Sequence, residues 1–191
     1  MKPIKKIQIE DVVYTAKIDF RTAIECNRIA QDDKINDIER PLAIICTMFG
    51  AEGLDHPEHY NKLLNWILNY LSDNKAISNE EPDMDYIEDM DYIEASFMSD
   101  YQIDLETSEM DWKKFYNLLN GLSNSEIGNC CVLNRVRNLR NFDLSQISDK
   151  KERDKIAKAQ ESVALKKSKK ENNLTKEQLE SMEMFNKLVK L

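Results

Sequence analysis

Four glycines and four prolines among 191 residues are too few for the many turns of an all-β protein. No apolar run approaches the roughly 18 residues a membrane helix needs. The amino terminus, Met1-Lys2-Pro3-Ile4-Lys5-Lys6-Ile7, is charged but has no apolar segment and no cleavage site, so no signal peptide is expected. Cysteine is scarce: Cys26, Cys46, Cys130 and Cys131 include no C-x-x-C pair, and neighbouring cysteines rarely bridge each other. They read as reduced, small apolar residues of a cytosolic protein. With two histidines, and neither a phosphate loop, a G-x-S-x-G nor an H-E-x-x-H motif, an enzyme is not expected. Nor is a cofactor.

What remains is a charged, helix-rich composition. Hydrophobic residues make up 41% and charged residues 32%, which suits helices that each bury one stripe. Charge is unevenly spread. Residues 1–149 hold 15 basic and 28 acidic side chains, a net of −13, whereas residues 150–191 hold 12 basic and 7 acidic, a net of +5. The acidic body disfavours nucleic acid as a partner. The basic tail suits an acidic partner or the protein's own acidic stretch.

That stretch is residues 80–111, with thirteen acidic side chains and no Lys or Arg. It contains a stuttered hexad, Met84-Asp85-Tyr86-Ile87-Glu88-Asp89 followed by Met90-Asp91-Tyr92-Ile93-Glu94-Ala95. Six residues turn an α-helix through about 600°, so both Tyr-Ile pairs cannot face one core from one straight helix. The second copy runs on into Phe97 and Tyr101, which makes Ile93 the core residue. Met84–Asp89 is then expected to be solvated, either a helix start, where carboxylates suit the macrodipole, or an exposed acidic turn. A calcium loop over Asp83, Asp85, Asp89, Asp91 and Glu94 is disfavoured, because Glu88 stands where the loop needs glycine. His56 and His59 lack further zinc ligands and read as helix-start residues.

The expected architecture is mainly α, a compact domain of about six helices. It opens with a short β-hairpin or extended arm over residues 4–19. Helices are predicted near 20–32 (capped by Asp19, burying Phe20, Ile24 and Ile29), 39–48 (Pro41 in the first turn, Gly50 at the end) and 57–71. The last of these carries the stripe Tyr60, Leu63, Leu64, Ile67, Leu68 and Leu71. A polar connection at 72–83 precedes helices near 86–101, 109–120 and 123–138, with Thr107 or Ser108, and then Ser123, as caps. Trp112, Phe115 and Leu119 share an inner face, and Gly121 ends their helix. Arg135, Arg137 and Arg140 read as a solvated face or as partners of the acidic helix rather than as a phosphate site.

The domain is placed at 1–145, with a basic helical tail at 146–191. The tail is expected to be mobile or to pack only in an assembly. Ser148 caps its first helix, about 149–168, and Leu174-Thr175-Lys176-Glu177-Gln178-Leu179 opens a second with a capping box and hydrophobic staple. Leu179, Met182, Phe185, Leu188 and Val189 form the candidate partner-binding stripe. It can dock on the protein's own core or on a partner helix, and self-association is compatible with it.

The run Asp91-Tyr92-Ile93-x-Ala95-Ser96-Phe97-x-x-Asp100-Tyr101-x-Ile103-Asp104-Leu105, followed by Trp112-x-Lys114-Phe115-x-x-Leu118-Leu119-x-Gly121-Leu122, resembles the "gene product fifteen" family of tailed bacteriophages. Ile18-Asp19-Phe20-Arg21 and Val136-Arg137 extend the likeness over roughly two-thirds of the chain. Tyr92, Ile93, Phe97, Tyr101, Trp112, Phe115, Leu119 and Gly121 are the heart of the pattern, which is one of packing and contains no catalytic motif. The resemblance implies a phage or prophage tail assembly chaperone, encoded between the major tail protein and the tape measure protein. It would act in the host bacterial cytoplasm, with the tape measure protein or another tail protein as partner. The alternative is a structural or adaptor protein kept in the virion. Two departures stand out: the extra hexad, and Asp111-Trp112-Lys113, where relatives tend to carry another aromatic.

Overall fold

The computed structural model describes residues 3–72, 83–124 and 130–166. Strands β1 (Ile4–Ile9) and β2 (Val12–Lys17) form an antiparallel hairpin in which Ile7 faces Tyr14 and Ile4 faces Lys17. Seven α-helices follow among the described residues. They are α1 (Phe20–Ala30), α2 (Glu39–Phe49), α3 (Tyr60–Ser72), α4 (Met90–Tyr101), α5 (Trp112–Asn120), α6 (Val132–Arg140) and α7 (Lys150–Val163). The chain is therefore mainly α with an N-terminal hairpin.

Two apolar clusters make the core. One gathers Phe20 of α1, Ile93 and Phe97 of α4, Trp112, Phe115 and Leu119 of α5, and Leu133 of α6. The other gathers Tyr14 and Ala16 of β2, Cys26 of α1, Ile45 and Met48 of α2, and Leu63 and Ile67 of α3. Ile18, Trp66 and Leu71 pack against both and join them. Leu68, placed in the α3 stripe by the sequence, is 43% exposed, because the buried face is the narrower row Leu63, Ile67 and Tyr70.

Helix ends follow hydrogen bonding more closely than composition. Asp19 caps α1 as expected, its Oδ1 accepting from the Arg21 amide at 3.0 Å. Asp111, rather than Thr107 or Ser108, caps α5 and accepts from the Lys114 amide at 2.9 Å. Asp149, rather than Ser148, caps α7 through the Glu152 amide at 2.8 Å. The carboxylate outcompetes the neighbouring hydroxyl because charge and hydrogen bond act together at a helix start. Helix α6 begins at Val132, not at Ser123, with the Cys131 sulfur as its cap. Helix α4 begins at Met90 rather than near 86, because Asp85 Oδ1 takes the Ile87 and Glu88 amides and shapes residues 85–89 as a turn.

Gly50 ends α2 with φ +77°, a conformation suited to glycine. Gly121 ends α5 for a different reason. Its φ is −87°, and a Cβ there would meet the Tyr101 hydroxyl at 2.9 Å. That hydroxyl crosses the helix end to donate to the Leu118 carbonyl at 2.9 Å.

Candidate functional site

The residues of the 91–122 pattern meet in one aromatic stack. Phe115 lies between Phe20 (ring centroids 4.6 Å apart, 8° between planes) and Phe97 (5.3 Å, 15°). Trp112 joins at 5.8 Å, and its indole N–H donates to the Leu71 carbonyl at 3.0 Å. Ile93, Phe97, Trp112, Phe115 and Leu119 are buried, and Tyr92 and Tyr101 are half-buried beside them. These pattern residues therefore fill the core.

Ile18-Asp19-Phe20-Arg21 is the other half of that core. Asp19 and Asp111 form an isolated antiparallel bridge, with the Phe20 amide on the Met110 carbonyl and the Trp112 amide on the Ile18 carbonyl. Two helix caps are thus stitched side by side. Arg21 then reaches the carbonyls of Leu105, Glu106 and Ser108, and so holds the loop before α5.

The first hexad copy is a turn rather than a helix start, one of the two forms expected for it, but it is not wholly solvated. Ile93 is buried and Ile87 is 48% exposed, which matches the assignment of the second copy to the core. But Met84 and Tyr86 of the first copy pack on the core as well, Tyr86 edge-on to Trp112 at 5.4 Å. Burial pushes the Tyr86 phenol up to about 12, with Tyr116 adding and Arg137 opposing. Asp89 is fully buried. Its carboxylate accepts from Arg140 Nη1 at 2.7 Å and Nη2 at 2.6 Å, and from the Asp85 amide at 3.0 Å. Hydrogen bonds donated to Asp89 hold the Arg140 guanidinium above its ordinary value against the opposing effect of burial.

Arg140 also donates to the Asp83 carbonyl at 2.9 Å and, through Nε, to the Val163 carbonyl at 2.7 Å. Arg137 pairs with Asp83 at 3.0 Å. Of the three arginines singled out in the sequence, Arg137 and Arg140 therefore bind the protein's own acidic segment. Gln160 of α7 donates to the Leu139 and Phe142 carbonyls, and Leu165 is buried. The first tail helix, expected to be mobile or to pack only in an assembly, is thus docked on α6.

Ser96 was missed in the sequence as anything beyond a member of the pattern. It is buried, donates to the Tyr92 carbonyl at 2.6 Å and accepts from the Leu133 amide at 2.9 Å, so it fixes α6 on α4. Its signal was a serine at core spacing, three residues after Ile93. His59 is buried at the start of α3, its Nδ1 2.7 Å from the Tyr14 hydroxyl and its Nε2 3.4 Å from Glu10. The ring of His56 stacks on it at 5.3 Å.

Among the described residues, no three His, Cys, Asp or Glu side chains are arranged to hold a metal ion. No helix among them is long and apolar enough to cross a membrane. Leu179, Met182, Phe185, Leu188 and Val189 lie outside the described residues.

No curated protein and no solved structure matches the chain. The family model described as Bacteriophage Gp15 protein matches residues 2–165, which takes in the aromatic stack, the Asp19–Asp111 bridge and the Asp89–Arg140 pair. This chain belongs to the bacteriophage Gp15 protein family.

Proposed function

We propose that the protein is a non-enzymatic tail assembly factor that binds the tape measure protein while the tail tube forms. Membership of the phage family across residues 2–165 carries this reading. The described part is a scaffold of packed helices whose buried polar contacts, Asp89 with Arg140 and Ser96 with the Leu133 amide, hold elements together. The net charge of −13 on residues 1–149 would keep a complex with a long helical client soluble. The amphipathic pattern at 179–189 offers such a client an adaptable Met- and Phe-bearing face.

The test is co-expression of the full chain with the tape measure protein of the same phage, followed by affinity capture. The expected result is a soluble complex, with the tape measure protein insoluble when expressed alone. Absence of capture overturns the reading. Stoichiometric recovery of the protein from purified virions by mass spectrometry would instead make it a structural or adaptor component.

A further inference from the structure

Helix α2 departs from the usual surface helix, which turns a polar face to water. No charged side chain occurs from Pro41 to Phe49. Its inner side gives Ile45, Met48 and Phe49 to the second cluster. Ile38, Leu42 and Cys46 recur every four residues and so form one row along the helix. Ile38 is 82% exposed. Leu42 and Cys46 are half-buried and belong to neither cluster among the described residues. From Ile38 to Cys46 the apolar strip runs about 12 Å along the helix.

The strip has an acidic rim. Asp32, Asp33, Asp37 and Glu39 stand at its start, and Glu52 and Asp55 follow its end. Arg40 turns its guanidinium onto the carbonyls of Ile29, Ala30, Asp32 and Ile35 and pairs with Asp37 at 3.8 Å, and Arg28 pairs with Asp32 at 3.3 Å, so the acidity of the rim rests on Asp33, Glu39, Glu52 and Asp55.

The chain itself leads to this place. The Lys166 amide donates to Glu88 Oε2 at 2.9 Å, and Glu88 lines a cleft together with Asp32, Arg28 and Asp85. The Asp32 carbonyl in turn accepts from Arg40 in the first turn of α2. Lys166, the last described residue, therefore lies near the end of α1 and the first turn of α2. Lys167, Lys169 and Lys170 come next, as the acidic rim requires. The seven residues 167–173 reach up to about 23 Å when extended, ample to gain the strip. The apolar positions from Leu179 to Val189 would span about 15 Å if helical, enough to cover the strip.

We propose that the C-terminal segment of the same chain covers the Ile38–Leu42–Cys46 strip of α2, with Lys167, Lys169 and Lys170 crossing the acidic rim and Leu179, Met182, Phe185 and Val189 on the apolar row. The inference concerns the isolated chain and does not depend on a client. Cys46 is a built-in probe. Alkylation of the full-length protein, followed cysteine by cysteine by mass spectrometry, should find Cys46 protected. Phe185→Glu should raise its rate constant about tenfold, as expected when a local docking equilibrium is lost. Lys167→Glu, Lys169→Glu and Lys170→Glu together should do the same. The buried Cys26 should stay unreactive throughout, as a check on the fold. A Val189→Cys variant should form a disulfide with Cys46 within one chain under mild oxidation. A Cys46 rate unchanged by both sets of substitutions overturns the proposal. So does a disulfide found only between chains, which would assign the strip to a second copy.

Discussion

Replacing Arg140 by methionine should be among the most damaging single changes outside the apolar core. Asp89 has no exposed surface, and without Arg140 its carboxylate keeps one described donor, the Asp85 amide. Removing one partner of a buried pair leaves an uncompensated charge and costs about 3–5 kcal/mol. That is a large share of the roughly 5–15 kcal/mol that holds an ordinary domain together. With a urea slope of about 2 kcal/mol per molar, the unfolding midpoint should drop by about 2 M. Arg140→Lys should fall between, since an ammonium cannot reproduce the two-pronged contact. Adding Asp89→Asn to Arg140→Met should recover part of the loss, because the buried charge is then gone. Hydrogen exchange should also rise across α7, which loses the Arg140 bond to the Val163 carbonyl. Arg28→Met is the control, because Arg28 pairs with Glu25 and Asp32 at the surface and should matter little. A midpoint for Arg140→Met no lower than that for Arg28→Met would refute the reasoning.

Ser96→Ala should destabilise by about 1–3 kcal/mol in urea titration, because it orphans the buried Leu133 amide that starts α6. Gly53→Ala should lower the melting temperature more than Gly121→Ala does. A Cβ at 53 meets Ile45 Cγ2 at 2.8 Å and Phe49 Cβ at 2.9 Å, whereas at 121 the closest atom is a movable tyrosine hydroxyl. Tyr86 gives an alkaline signature. Its folded value of about 12 exceeds the unfolded value of about 10, so its share of stability is complete below pH ~10 and is lost as pH rises towards 12. Urea midpoints at pH ~9 and ~11 should therefore converge in Tyr86→Phe relative to the unaltered chain; an unchanged gap would mean that another group carries the alkaline loss.

Local pattern was enough to place the helices. The rows Phe20, Ile24 and Ile29, or Trp112, Phe115 and Leu119, are periodic within a single element and are buried as periodicity demands. The helix arithmetic also chose Ile93 over Ile87. Pairing across distance was legible only in outline: partnership of Arg137 and Arg140 with the acidic stretch was one of two readings, but not which carboxylate would be buried. Asp89 sits in a run of carboxylates that looks solvated, and its burial depends on Arg140, which a local window never sees beside it. Arg21 looks like an exposed residue in the first turn of α1 until the loop before α5 folds over it. The caps at Asp111 and Asp149 were legible in principle, since aspartate is a strong cap, but adjacent Thr and Ser residues competed for the assignment. The partner-binding stripe at 179–189 lies outside the described residues, and its role rests on pattern alone.

The bridge between Asp19 and Asp111 also sets an order of events during synthesis. The hairpin and α1–α3 emerge from the ribosome first, yet Phe20 stacks on Phe115 and the Phe20 amide has its acceptor at Met110. Ile18, Trp66 and Leu71, which face both clusters, likewise wait for the second half of the chain. The early half can therefore assemble the second cluster, which draws only on the hairpin and α1–α3, but the Phe20 face of α1 stays uncovered until about residue 115 has left the exit tunnel. Long-range closure of this kind slows folding and lengthens the exposure of apolar surface. A nascent chain halted within the acidic run 80–111 would be an unfinished protein rather than a smaller one.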